Sequence, residues 1–169
     1  IMLSRNSVAS FITCLPQQII WTSGATESNN LALQGTINLY KRKFPNKKPH
    51  IITSAIEHKS VLETCEQLAK NNVEVTFVKP DKNGITFPEV IEKVIKKNTL
   101  LVSIMMANNE IGVINDLISI SEICQRNGVL LHSDATQYFG KIPINFDIHK
   151  IDLLSFSGHK IYAPKGIGG

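Results

Sequence analysis

The chain has 169 residues, of which 43% are hydrophobic and 19% are charged. This balance provides enough apolar material for a core and excludes global disorder. The net charge is +4, from 18 lysines and arginines against 14 acidic residues, and so mild an excess does not by itself indicate nucleic-acid binding. Because no apolar run approaches the roughly 18–20 residues that span a bilayer, we expect no membrane partner.

The three cysteines, Cys14, Cys65 and Cys124, are too few and too scattered for a disulfide framework, and none has metal-ligand spacing. We therefore expect no metal site and a reducing compartment, the cytoplasm. The sequence begins at Ile1 without an initiator methionine and stops at Gly169 after a glycine-rich stretch. We expect it to be a piece of a longer protein.

Short β-branched runs alternate along the chain with amphipathic helical patterns. Strands are predicted at 19–22, 51–53, 73–78, 100–106, 129–134 and 153–156, and helices around 28–33, 61–69, 88–95 and 117–127. Pro88 suits the first turn of its helix, and Gly128 suits the end of the last one. Cys65 lies on a continuous apolar stripe, which predicts a core position. Strand followed by helix, several times over, predicts an α/β fold, a three-layer αβα sandwich with a mostly parallel sheet.

Polar residues follow the ends of several predicted strands, namely Ser23, Gly24, Asp134, His159 and Lys160. In open α/β sheets ligands bind at the carboxyl edge, so the function is sought there. Residues 23–28 are small and hydroxylated and lead into a helix, where free backbone N–H groups and the helix dipole favour an anion. The alternative is an ordinary N-cap, in which a serine or threonine closes the helix.

Asp134 and Lys160 are the two charged residues of most interest at this edge. A carboxylate that ends an apolar strand destabilises the fold unless a partner or a ligand charge compensates it; Asp134 either caps the next turn or holds a cationic nitrogen. The neighbours of Lys160, Phe156 and Tyr162 among them, favour its partial burial. Burial lowers a lysine pKa from about 10.4 and yields the neutral amine that forms imines; the alternative is a surface lysine.

An anion site, an acid and an amine at one sheet edge suit a cofactor with a phosphate, a ring nitrogen and an aldehyde. Pyridoxal phosphate has all three. His58 could stack on such a ring, and the amides of Asn109 and Gln137 could reach its hydroxyl. Each of these three residues, taken alone, is more often an ordinary loop residue.

Five blocks of the sequence, in order and at similar spacing, resemble the cysteine desulfurases of the NifS/IscS type. They are Trp21–Asn30, Ile51–Lys59, Val102–Gly112, His132–Gln137 and Ser155–Tyr162. These enzymes belong to the class V aminotransferase family and the fold-type I pyridoxal-phosphate fold. The resemblance implies that residues 1–169 are a single domain, a partial cofactor-binding large domain without the small C-terminal domain.

The resemblance also implies a role for each candidate site residue. Lys160 would form the Schiff base with the cofactor, Asp134 would pair the pyridinium nitrogen, and His58 would stack on the ring and take part in proton transfer. The phosphate would be held by Ala25, Thr26, Ser157 and His159, and the ring oxygen by Asn109 and Gln137. Lys160 and His58 are thus the expected catalytic residues.

The activity implied is conversion of L-cysteine to L-alanine, with the sulfur passed to an enzyme cysteine as a persulfide for iron-sulfur cluster and thio-cofactor assembly. A homodimer and a sulfur-acceptor or scaffold protein are the implied partners, and nucleic acid is involved only indirectly, through tRNA thiolation. Cys14, Cys65 and Cys124 do not match the context of the family's persulfide cysteine. We therefore expect the isolated chain to be inactive.

Two other functions are compatible with the same sequence. One is a related class V enzyme such as a selenocysteine lyase, and the other is a truncated, non-catalytic dimerisation or scaffold partner. A downstream cysteine on a Ser/Gly-rich loop in the full reading frame would favour the desulfurase. The basic residues between 41 and 48 are interpreted as a solvated helix end.

Overall fold

The computed structural model describes residues 2–169. The strands are β1 (His50–Ser54), β2 (Glu74–Val78), β3 (Thr99–Ser103), β4 (Leu130–Asp134) and β5 (Leu153–Ser155). The helices are α1 (Met2–Phe11), α2 (Ala25–Lys43), α3 (Lys59–Lys70), α4 (Pro88–Val94), α5 (Leu117–Arg126) and α6 (Phe146–His149), with 3-10 helices at Pro16–Gln18 and Gly158–Ile161. The sheet order is β2-β1-β3-β4-β5, and every pair is parallel. The predicted parallel α/β architecture is therefore confirmed.

Alternate side chains of the central strands enter two separate cores. Ile51 packs in a cluster with residues of α2 and α3, whereas Ile52 packs with residues of α4 and α5 on the other face. Both isoleucines are fully buried, and burial of such a side chain stabilises the fold by about 1.5–3 kcal/mol. Helices thus cover both faces of the sheet, as predicted. Within residues 2–169, no helix combines the length and the apolar character needed to cross a membrane.

The buried face of α3 and the C-terminal end of α5 both follow from the local sequence. In α3, Val61, Cys65 and Leu68 are buried at the i, i+4 and i+7 positions of one stripe, which confirms the predicted core position of Cys65. Helix α5 ends just before Gly128, whose φ of +64° lies in the left-handed region that glycine adopts without strain.

The predicted strand at 19–22 is wrong. This segment follows the 3-10 helix at Pro16–Gln18 and, among the described residues, makes only an antiparallel bridge from Thr22 to Gly168. Its β-branched residues favour extended backbone, but propensity does not specify a pairing partner. The strand predicted at 100–106 ends as β3 at Ser103, although the N–H groups of Ile104 and Met106 still bond to carbonyls of β4.

The glycine-rich C-terminal residues join two loops at the carboxyl edge of the sheet. Gly168 exchanges two 2.9 Å backbone hydrogen bonds with Thr22, and Gly169 accepts one of 2.8 Å from the N–H of Phe156. A Cβ at Gly168 would lie 2.6 Å from the carbonyl oxygen of Phe156 and 2.7 Å from the Cα of Gly24. Only glycine therefore fits between the 22–24 loop and the turn that bears Lys160.

Replacement of Gly168 by alanine is expected to force these backbones apart. Because overpacking typically costs about 1–3 kcal/mol, Gly168→Ala should lower the free energy of unfolding by that amount in urea denaturation of the full-length protein. Gly35→Ala is the matched control, since this glycine lies in α2 and a Cβ there meets nothing within 4 Å. Equal stability of the two variants would contradict the packing argument.

Candidate active site

A cavity of about 530 Å³ opens at the carboxyl edge of the sheet. The nine candidate site residues all line it: Ala25, Thr26, His58, Asn109, Asp134, Gln137, Ser157, His159 and Lys160. The parallel sheet explains this convergence, because each residue follows a strand end or begins a helix at the same edge. The structure thus brings the whole set together, and the role of each residue stays a prediction.

Asp134 is the last residue of β4 and is only 5% exposed. Its Oδ1 accepts a 2.9 Å hydrogen bond from the N–H of Thr136, and its Oδ2 accepts one of 2.7 Å from Nδ2 of Asn29. The first bond caps the following turn, as one alternative predicted. The second bond anchors the carboxylate to α2, so its orientation at the cavity wall is fixed from two sides.

The N-terminus of α2 forms another wall of the cavity. Its N-cap residue is Gly24, with φ +154° and ψ 177°, a conformation open almost only to glycine. Within residues 2–169 no side chain caps this helix, so the ordinary N-cap alternative is wrong. Because the first-turn amides have no intrahelical acceptor, Ala25 and Thr26 present N–H groups at the cavity. Glu27, also at this wall, accepts hydrogen bonds from the side chain and backbone of Ser23, which lowers its pKa.

The turn after β5 supplies the third wall. Ser157 is buried, and its Oγ lies 2.8 Å from Nδ1 of His159. Lys160 is exposed, so its predicted partial burial is wrong for the residues described. The expected neighbours do not cover it: Phe156 stacks on Phe139 in the core, with ring centroids 4.3 Å apart, and Tyr162 is fully exposed. The lysine amine therefore lies at an open rim of the cavity.

His58 is the N-cap of α3, and its Nδ1 accepts a 3.2 Å hydrogen bond from the N–H of Ser60. Oγ of Ser60 lies 2.8 Å from the same Nδ1 and accepts a 2.9 Å hydrogen bond from Nδ2 of Asn29. Asn29 and Ser60 thus connect His58 to Asp134. Sequence reasoning assigned them no role, and its only signal was the position of Asn29 within a block that carries the resemblance.

The two candidate amides differ in their contacts. Asn109 is exposed at the cavity, whereas Oε1 of Gln137 accepts a 2.9 Å hydrogen bond from Nζ of Lys141. Thr136 also lines the cavity, and its buried Oγ1 has no hydrogen-bond partner within residues 2–169. The cavity wall therefore includes a hydroxyl group whose hydrogen bonds a ligand could complete.

His132 lies under the site in the middle of the sheet and is completely buried. Its ring nitrogens lie 2.8 Å from Oγ of Ser103 and 3.0 Å from Oγ of Ser155. Burial lowers its pKa to about 4, against the opposing charge of Asp134. The imidazole is therefore neutral near pH 7, and it connects β3, β4 and β5 beneath the cavity through the hydroxyls of Ser103 and Ser155.

Glu57, directly before His58, is a buried acid that sequence reasoning did not assign. It is 5% exposed, and its Oε1 accepts a 2.8 Å hydrogen bond from the N–H of Met105. Its Oε2 has no partner in the part of the chain described. Desolvation raises the Glu57 pKa well above its ordinary value of 4.5, the Met105 hydrogen bond opposes this, and the charge of Asp134 adds to it.

The raised pKa of Glu57 predicts a pH-dependent stability. The folded state binds this proton more tightly than the unfolded state, so the free energy of unfolding falls as pH rises above 4.5 towards the raised pKa. Glu57→Gln keeps an acceptor for Met105 and removes the titration. Thermal unfolding of the full-length protein across pH should show the variant gaining stability over the parent as pH increases. A constant difference between the two proteins would contradict the assignment.

The chain resembles known proteins in both sequence and fold. The family described as Aminotransferase class-V matches residues 2–169. The cysteine desulfurase IscS of Serratia proteamaculans (strain 568) is 50% identical over 166 residues, which cover 98% of this chain and 40% of that protein. The chain thus spans about two-fifths of the length of the curated relatives it matches. The NifS/IscS resemblance inferred from the sequence is confirmed.

Solved structures agree with the sequence relatives. A structure described as SspA in complex with cysteine matches with a TM-score of 0.93 and 40% identity, over 99% of this chain and 47% of that one. A NifS-like protein matches with a TM-score of 0.91 and 40% identity, over 99% of this chain and 45% of that one.

Among residues 2–169, no group of three or more histidines, cysteines and acids could hold a metal ion. Fold, cavity and sequence thus agree, and the chain belongs to the class V aminotransferase family.

Proposed function

We propose that this chain is the cofactor-binding part of a cysteine desulfurase that uses pyridoxal phosphate, with residues 1–169 forming part of its large domain. Enzymes of the class V aminotransferase family depend on this cofactor. The observation that carries the proposal is the meeting of Lys160, Asp134 and the N-terminus of α2 around one cavity. The 50% identity to IscS over nearly the whole chain supports the same function.

The residues of the cavity fit pyridoxal phosphate. The uncapped N–H groups of Ala25 and Thr26 suit a phosphate, with Ser157 and His159 as further donors. The carboxylate of Asp134 suits the ring nitrogen, and the amine of Lys160 suits the aldehyde. Thr136 lines the cavity, and its buried Oγ1, which has no partner within residues 2–169, would gain a hydrogen bond from a polar ligand there. When bound, the cofactor supplies an aldehyde for amine exchange and a ring that withdraws electrons from the substrate.

The residues of the cavity bind and orient the ligand, and some of them transfer protons. Asp134, held by two hydrogen bonds, would keep a positive charge on a ring nitrogen bound beside it. Lys160, at the open rim, would hold the cofactor's aldehyde through Nζ, and its free amine would hold or return a proton. Nδ1 of His58 is occupied by Ser60, so Nε2 is the atom of His58 that exchanges protons in the cavity.

The thiols of this chain do not suit the sulfur-accepting step. Cys65 and Cys124 are buried, and desolvation raises the pKa of each to about 12. Desolvation also raises the pKa of Cys14, which lines a different cavity. Because the thiolate is the nucleophile, none of the three is ready to attack near pH 7. We place the persulfide cysteine outside these 169 residues.

The substrate and partners belong to the same proposal. L-Cysteine is the proposed substrate, in line with the cysteine complex of the structural relative SspA. We also propose a homodimer, a sulfur-acceptor or iron-sulfur scaffold protein as partner and a cytoplasmic location, on the basis of the family.

Lys160 is expected to be the lysine that bonds the cofactor. Borohydride treatment of the full-length holoenzyme, followed by peptide mapping, should place the cofactor label on Lys160. Lys160→Ala should abolish the label and reduce alanine formation by about 100-fold or more. Lys165→Ala is the matched control, because Lys165 lines the same cavity and should leave the label in place. A label on another lysine overturns the assignment.

The 169-residue chain alone is expected to show no alanine release from cysteine, even with added cofactor, because its buried thiols are protonated. The full-length protein assayed in parallel is the control. Cys14→Ala in the full-length protein should leave turnover unchanged. Turnover by the isolated chain at the full-length rate would show that one of the three cysteines accepts sulfur.

A further inference from the structure

A continuous hydrogen-bond chain links Asp134 on the sheet to His58 at the start of α3. From Asp134 Oδ2 it passes to Asn29 Nδ2 at 2.7 Å, from that nitrogen to Ser60 Oγ at 2.9 Å, and from Ser60 Oγ to His58 Nδ1 at 2.8 Å. Asn29 is completely buried, and Ser60 is 7% exposed. The chain joins three elements, β4, α2 and α3, that are far apart in sequence.

The direction of each bond in this chain follows from its donors. The N–H of Ser60 donates to Nδ1 of His58, so Nδ1 holds a lone pair and the neutral ring carries its proton on Nε2. The two hydrogens of Asn29 Nδ2 are used by Asp134 and by Ser60 Oγ. Ser60 Oγ therefore accepts from Asn29 and donates its own hydrogen to Nδ1. Reversal of the amide would turn its oxygen towards a carboxylate, which is repulsive.

The cost of this arrangement points to a role beyond stability. Oδ1 of Asn29 is buried without a hydrogen-bond partner anywhere in residues 2–169. An unsatisfied buried carbonyl destabilises the folded state, and an apolar side chain in α2 would avoid that penalty. The benefit of asparagine here is the pair of hydrogens that it directs to Asp134 and Ser60.

We infer that Asn29 and Ser60 are positioning residues that hold the two cofactor-facing side chains in register, fixing His58 in the Nε2–H tautomer and fixing the orientation of Asp134. The inference rests on the proposed function, since it concerns the same cavity. Because the amide of Asn29 donates to both Asp134 and Ser60, the orientations of Asp134 and His58 depend on each other. A substitution of Ser60 is therefore expected to change which ring nitrogen of His58 carries the proton, although Ser60 itself does not line the cavity.

The test uses full-length protein labelled with nitrogen-15 in its histidines and measured without cofactor, so the readout is independent of turnover. His58 is assigned by the signal lost in His58→Gln. The parent protein should show His58 with an unprotonated Nδ1 and a protonated Nε2. In Ser60→Ala the tautomer ratio should shift about two- to tenfold towards Nδ1–H, the range for loss of one net hydrogen bond. Ser60→Thr should restore the parent ratio because it keeps the hydroxyl.

Thr64→Val is the matched control, because Thr64 is another buried hydroxyl residue of α3. Its Oγ1 donates to the carbonyl oxygen of Ser60 and to Oδ1 of Asn30, and neither atom belongs to the hydrogen-bond chain from Asp134 to His58. This variant should leave the His58 signals unchanged. Ser60→Gly, which removes the same hydroxyl, replaces Ser60→Ala if that variant does not fold. In the holoenzyme, Ser60→Ala should lower kcat for alanine formation with little change in KM.

An unchanged tautomer ratio in the folded Ser60 variant, or a parent His58 protonated at Nδ1, overturns the inference. A shifted ratio in a full-length protein that does not release alanine from cysteine supports the hydrogen-bond chain and refutes the desulfurase proposal. The two failures are thereby distinguished.

Discussion

The parallel pairing of β1, β3, β4 and β5 is the constraint on which the site depends. Parallel strands end at the same edge, so the loops that follow them converge without any special sequence at long range. Asp134 at the end of β4 and the turn bearing Lys160 after β5 are neighbours for this reason. The same constraint places His58, which follows β1, at this edge, whereas the bridge between Thr22 and Gly168 holds the segment before α2 there. Helices cover both faces of the sheet and exclude water from the strands.

Buried polar groups then determine what the edge can do. Glu57, Asp134 and His132 lie close to one another in a region of low dielectric, and burial raises the pKa of Glu57 and lowers that of His132. His132 is consequently neutral near pH 7, and burial favours the protonated form of Glu57. Both groups support the site through hydrogen bonds, while Asp134 lines the cavity with both oxygens held. This division of roles among neighbouring titratable groups is typical of catalytic sites.

Backbone close approach is the other device that assembles the site. Gly24 adopts a conformation that favours glycine, and the backbone of Gly168 packs against it where a Cβ would have no room. The two loops at this contact lead into the first turn of α2 and carry Lys160. The packing of these glycines thus sets the separation of two groups that line the same cavity.

The sequence by itself determined the strand–helix alternation, the parallel sheet, the core position of Cys65 and the candidate residues at the carboxyl edge. These follow from local periodicity and from the rule that ligands bind at strand ends. Only the tertiary structure decided that Thr22 pairs with Gly168, that residues 19–22 form no sheet strand and that Lys160 is exposed. It alone joined Asn29 to Ser60 and Asp134. Pairing partners, burial and hydrogen bonds between α2, α3 and β4 depend on distances across the fold, which local sequence pattern does not encode.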